Sequence, residues 1–448
     1  MDTNSTQKLI EPRTLSGFME LLPSDQVLFN YIREEIRRTY EKFGFLPLDT
    51  PVIEDGEVLL AKAGGETEQQ IYKAYHNDPH EENAVLRFDL TVPLAKFVAK
   101  NFNDLTFPFR RYQIGKVYRG ERPQKGRFRE FYQCDIDVIG KNTLSIVNDA
   151  EMPSIIYTIF KNLGFKAFTI QINNRRFLSG FLNSLGISKE NQIKVLHLLD
   201  KARKIGLKTT AESLLEILDT KTVEEILKLL SMNLSTDEKI DYIKNLKSDD
   251  EDLKQGAAEL AEVVRCIRLF GVPDEFFCLD FSIVRGLDYY TGTVYETFIT
   301  GHEEIGSVCS GGRYDNLAGF YTKERLPGVG ISIGLTRLFD KLKEVIKPDR
   351  QTISDVIIMS ADDDYSDCLA IAADARAKGL CAEVYVEPTK LKNKLKYANR
   401  MAVAYVIMVG EEERKNNLVL LKNMASTEQK AVTRQEALEE IVRAKNNR

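Results

Sequence analysis

No run of apolar residues in this chain is long enough to cross a membrane. The longest, Met401 to Gly410, has ten residues held between Arg400 and Glu411, whereas a spanning helix needs roughly 20. Cysteine is sparse: the six positions (134, 266, 278, 309, 368 and 381) form no Cys-x-x-Cys pair. That spacing argues against a disulfide framework and a structural zinc site, and fits reduced thiols. Positive charge is not in excess either, since Lys plus Arg number 62 against 67 Asp plus Glu, a formal charge of −5. No global basic field is available to hold a nucleic acid, so any polyanion must be met by a local patch. The stretch Met1 to Arg13 lacks the apolar middle segment of a secretory signal, which points to the cytoplasm. Internal repeats and low-complexity tracts are missing too. The glycine-rich segment Gly328 to Arg337 has neither the Gly-Lys-Ser/Thr of a Walker loop nor G-x-G-x-x-G spacing.

What is present is apolar material, 43% of 448 residues, enough for two or three domains with sizeable cores. Pro23-Ser24-Asp25 reads as a helix start, and Val27, Leu28, Tyr31, Ile32 and Ile36 fall at helical spacing, predicting a long amphipathic helix that ends near Gly44. Pro47 and Pro51 make the extended stretch Phe45 to Glu54 an edge strand or a subunit contact. Leu86 to Asp89, Phe109 to Tyr118, Phe131 to Ile139 and Phe168 to Ile172 read as further strands without regular helical crossovers, predicting an antiparallel sheet. From Gly180 to Cys266 the spacing turns helical, as in Val223 to Leu230 and Leu260 to Ile267, and predicts a helical insertion. Strands return at Phe277 to Ile283 and Thr293 to Ile299. From Asp355 to Val409 strand, helix, strand, helix and strand alternate, as in a separate α/β domain. The expected fold class is α+β: an antiparallel-sheet domain over residues 1–350, a helical insertion within it over 180–266, and a C-terminal α/β domain over 351–448.

The densest charge lies between Arg110 and Arg129, where Arg110, Arg111, Lys116, Arg119, Arg122, Lys125, Arg127 and Arg129 face only Glu121. A strand, a loop around Pro123 and Gly126 and a second strand would fix some of these cations and leave others on the tip, a layout suited to a nucleoside triphosphate and a larger polyanion. A solvated hairpin is the alternative. Val284 to Gly292 joins a cation, Arg285, to a carboxylate, Asp288, and two phenols, Tyr289 and Tyr290. Such a segment can grip a small polar ring, or simply turn the chain with tyrosines in the core.

Together these segments resemble the class II aminoacyl-tRNA synthetases, and in detail the histidyl branch. Arg119-Gly120-Glu121 with Arg129-Glu130-Phe131 resembles the second class motif, Gly330 to Arg337 the third, and the first helix with Pro51 the dimer-forming first. Arg285-Gly286-Leu287-Asp288-Tyr289-Tyr290 and Ser310-Gly311-Gly312-Arg313-Tyr314-Asp315 are similar to two histidine-specific signatures. The resemblance covers essentially the whole chain, with a C-terminal domain similar to the anticodon-binding one. Thr336 stands where a glutamate is common.

The resemblance implies ATP-dependent activation of L-histidine, with Mg²⁺ accompanying ATP, transfer to histidine tRNA, and a homodimer. By residue it implies Arg119, Arg285 and Arg337 as the catalytic cations: Arg119 on the α-phosphate, Arg285 near the substrate carboxylate, and Arg337 stacked on adenine opposite Phe131. Glu121 would accept from the adenine amino group. Asp89, Leu90 and Thr91 with Gln133 would hold the amine end of histidine, and Asp137, Tyr289 and Tyr290 its ring. Arg122 and Gln124 would touch the tRNA acceptor end, and Lys392, Lys396 and Arg400 would form a phosphate-contacting ridge within the basic run from Lys390. A solvated helix face is the alternative there. No residue is assigned as a metal ligand. The competing reading is a non-catalytic regulatory subunit of ATP phosphoribosyltransferase, which resembles only the catalytic core.

Overall fold

A computed structural model describes residues 9–61, 69–75, 83–124, 126–284, 289–345 and 352–446, and these fall into two compact units. The first is built on strands β1 (Leu46–Pro47), β2 (Ile53–Asp55), β3 (Ala84–Leu86), β4 (Phe109–Tyr118), β5 (Glu130–Ile139), β6 (Phe168–Asn174), β7 (Phe277–Leu279), β8 (Tyr290–Ile299), β9 (Cys309–Tyr314) and β10 (Gly328–Gly334). Eight of them make one sheet in the order β1-β4-β5-β10-β9-β8-β6-β7, with β2 and β3 paired separately. The central pairs are antiparallel, as the sequence predicts, while β1 runs parallel to β4 and β7 parallel to β6 at the two edges.

Strand β5 shows why the sheet has two unlike faces. Side chains alternate across a strand, so Cys134, Ile136 and Val138, all fully buried, serve the core face, while Phe131, Gln133, Asp135 and Asp137 share the other. The helix Val147–Asn162 packs against β9 and β10, and Tyr40 Oη donates to the Cys134 carbonyl at 2.9 Å. On the opposite face the register aligns a polar row: Gln113 of β4 pairs with Asp135, Asp135 with Ser332 of β10, Ser332 with Ser310 of β9, and Ser310 with Glu296 of β8. Directly paired residues share a face, so this row forms a polar floor.

Two strands are shorter than the sequence suggests, each ended by an aspartate. The predicted Leu86 to Asp89 strand is Ala84–Leu86, because Asp89 Oδ1 accepts from the amides of Thr91 (3.1 Å) and Val92 (2.9 Å) and starts the helix Thr91–Lys100. The predicted Phe277 to Ile283 strand stops at Leu279, where Asp280 Oδ1 takes the Ser282 amide at 2.9 Å. Such side chains compete with the strand ladder for backbone donors. Between β6 and β7 run the helices Arg175–Ser184, Lys189–Leu215, Thr220–Leu230, Thr236–Lys244 and Glu251–Leu269. Each of the five starts at a side-chain cap, in order Asn174, Ser188, Asp219, Ser235 and Asp250.

The second unit holds β11 (Val356–Ser360), β12 (Ala382–Tyr385), β13 (Tyr405–Val409), β14 (Val419–Asn423) and β15 (Gln429–Val432), in the order β12-β11-β13-β14-β15. Alternate residues of β11 feed two cores, Val356 and Ile358 on one side and Ile357 and Met359 on the other, as in parallel strands covered on both faces. The antiparallel pair β14 and β15 and the helix Arg434–Asn446 extend the predicted alternation. In the helix Leu391–Arg400 the basic run is not one ridge. Lys392, Lys396 and Arg400 are exposed, but the Lys394 side chain is 1% exposed and donates to Ser360 O (3.0 Å) and Asp363 Oδ1 (2.7 Å). Among the described residues no helix is long and apolar enough to cross a membrane.

Candidate active site

A cavity of about 740 Å³ opens over the polar floor of the first unit. Sequence-distant segments meet in its wall: Asp89 and Thr91 at a helix start, Arg119 and Glu121 after β4, Phe131 and Gln133 on β5, Tyr289 and Tyr290 at the start of β8, and Arg337 after β10. The Arg119 guanidinium lies over the rings of Phe88 (4.4 Å) and Phe131 (5.2 Å), and its Nε donates to Phe88 O at 3.2 Å. Arg337 donates to Gly126 O (3.0 Å) and Ser307 O (2.8 Å), which ties the loop between β4 and β5 to the opposite wall. It is Arg119 that stands over Phe131 here. Glu121 pairs with Arg127 at 3.3 Å. The Tyr289 and Tyr290 rings meet edge to face, centroids 4.8 Å apart.

Burial governs the protonation of the floor. Desolvation pushes the Asp135 carboxyl up to about 7, with Asp137 and Asp89 adding to the rise while Arg111 and the Ser332 hydroxyl oppose it. Asp137 is pushed up to about 6 by the same cause, despite an ion pair with the fully buried Arg111 at 2.7 Å and a 2.8 Å hydrogen bond from Tyr314 Oη. Burial likewise raises Asp89 and the Tyr289 and Tyr290 phenols, and lowers the Arg119 guanidinium against the pull of Asp89 and Glu121.

Several residues named from the sequence stand elsewhere. Asp137, on the same face of β5 as Asp135, is engaged by Arg111 and Tyr314 and is not part of the cavity lining; Leu90 is buried, its carbonyl accepting from Arg111 at 3.2 Å. Arg122 and Gln124 are exposed on the loop, where Gln124 bridges to Arg127. Thr336 takes no place in the wall, for it is 2% exposed and its Oγ1 accepts from the Tyr132 amide at 2.9 Å. Arg285, with Gly286 to Asp288, and Lys125 lie outside the described residues. Conversely, the sequence reading passed over Asp135, although it falls on the same face as Gln133 by simple alternation. It also passed over Ile193, Leu196, His197 and Asp200, which at one helical face of Lys189–Leu215 form a further wall.

The histidyl-tRNA synthetase family model matches residues 17–338, and an anticodon binding domain model matches residues 355–444. The histidine–tRNA ligase of Clostridium tetani is 49% identical over 440 residues, 97% of this chain and 99% of its own length. That of Clostridium acetobutylicum is 46% identical over 430 residues, covering 95% and 99%. Among solved structures, histidyl-tRNA synthetase from Nostoc sp. PCC 7120 superposes with a TM-score of 0.90 at 39% identity, over 97% of this chain and all of the other. An ATP phosphoribosyltransferase regulatory subunit/histidyl-tRNA synthetase from Bacillus halodurans reaches 0.75 at 21% identity and shares the fold. Full-length relatives of the ligase kind do not favour the regulatory-subunit alternative.

Proposed function

The chain belongs to the histidyl-tRNA synthetases, and on that premise we propose how its residues divide the work. Histidine is activated by ATP to histidyl-adenylate, and the histidyl group then passes to the 3′ end of histidine tRNA. The substrate carboxylate itself attacks the α-phosphate, so no protein nucleophile is needed. Positioning and neutralisation of charge on phosphate oxygens carry the rate.

Arg119 takes the α-phosphate, Arg285 the substrate carboxylate, and Arg337 the adenine and γ-phosphate end, with Phe131 and Glu121 completing the nucleotide site. ATP enters with a divalent ion, here Mg²⁺, which is held mainly by phosphates and water with one or two carboxylates. Glu296 in the cavity wall fits that need. Asp89, Leu90, Thr91 and Gln133 serve the amine end of histidine. Tyr289 and Tyr290 read the ring, with Asp137 close enough behind to raise the Tyr290 phenol. A pocket that hydrogen-bonds both ring nitrogens rejects a purely apolar side chain by roughly 10⁴ or more.

For tRNA, Arg122 and Gln124 on the exposed loop meet the acceptor end, and Lys392, Lys396 and Arg400 meet backbone phosphates. The domains run over residues 1–350, 180–266 and 351–448, and the protein works in the cytoplasm as a homodimer. Leu46, Val52 and Ile53, large apolar side chains left exposed near the β1 edge, support the subunit contact.

The convergence of Arg119, Gln133, Tyr289, Tyr290 and Arg337 on one cavity carries this assignment. It is tested by ATP/pyrophosphate exchange in Arg119→Ala, Arg285→Ala and Arg337→Ala. Each substitution is expected to cost roughly 10² to 10³ in rate while the melting temperature holds. Near-normal exchange in any one removes that arginine from its role.

A further inference from the structure

The helix Lys189–Leu215 is broken at Gly206, whose φ of 83° and ψ of 155° are not helical, so residues 189–205 form a rod of their own. One face of that rod is apolar and buried, through Val195, Leu199 and Ala202. Another carries Leu196 and Asp200 of the cavity wall, and Arg203 follows them at helical spacing. Arg203 reaches the edge of the sheet. Its Nη2 donates to Asp280 Oδ2 at 2.5 Å, just past β7, and to Gln171 of β6, and its guanidinium lies 4.7 Å over the Phe298 ring of β8. Gln171 is paired with Glu296 of β8 and so continues the polar floor by one strand. Arg203 therefore stands at the end of the row that begins at Gln113.

The other oxygen of Asp280 organises the turn that follows it. Asp280 Oδ1 accepts from the Ser282 amide (2.9 Å) and hydroxyl (2.5 Å). The buried Asn173 donates through Nδ2 to Phe281 O (3.2 Å) and Ile283 O (2.8 Å), and Arg175 donates to Val284 O at 3.3 Å. Arg175 and Val284 line the cavity. The Asp280 carboxylate thus joins two parts of the wall, the rod 189–205 on one oxygen and the turn 280–284 on the other. In the sequence that turn leads straight into Arg285.

We propose that Arg203 is a positioning residue for histidine activation: through Asp280 it holds the rod 189–205 and the turn 280–284 at one spacing, so that the two walls meet ATP and histidine as a single piece. The proposal rests on the cavity being the activation site. The Arg203 and Asp280 side chains are 38% and 24% exposed, and an ion pair at such a site contributes little to stability. Position is a different matter, because a misplacement of about 1 Å can cost roughly 10²-fold in rate. The rod keeps its place in the fold without the pair, since its apolar face is buried and Gln192 ties its other end to Asn183 Oδ1 (2.6 Å) and Ile187 O (2.9 Å). What the pair adds is the exact spacing of one wall against the other.

The experiment compares wild type with Arg203→Met, Arg203→Lys, Asp280→Asn and the double substitution of Arg203→Met with Asp280→Asn, in ATP/pyrophosphate exchange with histidine and in thermal melting. Asp280→Asn keeps an oxygen for Ser282 and removes the charge that faces Arg203. Arg203→Met should lower kcat roughly tenfold or more, while the melting temperature falls by less than about 3 °C. Arg203→Lys keeps the charge and should recover part of the rate. The double substitution should be within about twofold of the slower single one, since both remove the same link. Wild-type kcat in Arg203→Met, a rate loss matched by a melting temperature lower by about 10 °C or more, or rate losses that multiply in the double substitution would each overturn the proposal. Wild-type protein that melts cooperatively but exchanges with no amino acid would instead overturn the assignment of the cavity, and the proposal with it.

Discussion

Asp135 and Asp137 stand two residues apart on β5, and desolvation raises them to about 7 and about 6. A carboxyl whose folded value lies above its unfolded value, about 3.9 for aspartate, contributes stability that is fully present below the unfolded value and lost as pH rises through the folded one. For Asp135 that window runs from about pH 4 to about pH 7. Asparagine does not titrate, so the melting temperature of ligand-free Asp135→Asn minus that of wild type should climb between pH 4.5 and pH 8. A difference that stays flat or falls with pH contradicts the raised value. Asp149 and Arg313 show burial met by geometry instead. Asp149 is fully buried, and Arg313 reaches it through Nε (3.0 Å) and Nη2 (2.6 Å). Burial still lifts the Asp149 carboxyl, since the arginine offsets only part of the cost. Removing one partner strands the other, so Arg313→Met should cost about 3–5 kcal/mol in denaturant unfolding; under about 1 kcal/mol would mean that water replaces the arginine. At this scale the sequence made Arg119, Gln133 and the tyrosine pair legible, because their types and order carry the resemblance. It hid Asp135, whose meaning comes from depth, and it could not show that Asp137, on the same face of the strand, is engaged by Arg111 and Tyr314.

Elements with strong periodicity were legible almost to the residue. The first helix, Pro23–Lys42, and strands β4 and β13 fall where apolar spacing puts them. Boundaries failed where Asp89 and Asp280 turn the chain, and β15 was missed because its four residues are mostly exposed and carry no alternation. The helix Leu391–Arg400 makes the difference between charge and position testable. Replacing Lys392, Lys396 and Arg400 together with alanine should leave exchange and melting unchanged, weaken tRNA charging and flatten its salt dependence. Lys394→Ala should instead lower the melting temperature of the second unit by removing a buried cation's two bonds. If the triple substitution leaves charging intact, the face is only solvated; if Lys394→Ala melts like wild type, its burial contributes nothing.

At the scale of the whole molecule, the chain forms two units with separate sheets and cores, the histidyl-tRNA synthetase model falling mainly on the first and the anticodon binding domain model on the second. The exposed apolar trio Leu46, Val52 and Ile53 predicts association through the β1 edge. Light scattering should return twice the 51.0 kDa chain mass, and Leu46→Glu with Ile53→Lys should shift the protein toward a single chain; a wild-type monomer at micromolar concentration contradicts the dimer. The central claim is that this cavity activates histidine and no other amino acid. ATP/pyrophosphate exchange by the purified protein with each of the twenty amino acids, with Mg²⁺ and without tRNA, tests it most directly. Exchange with histidine alone is the predicted result, and folded protein that exchanges with none, or equally with another amino acid, would contradict it.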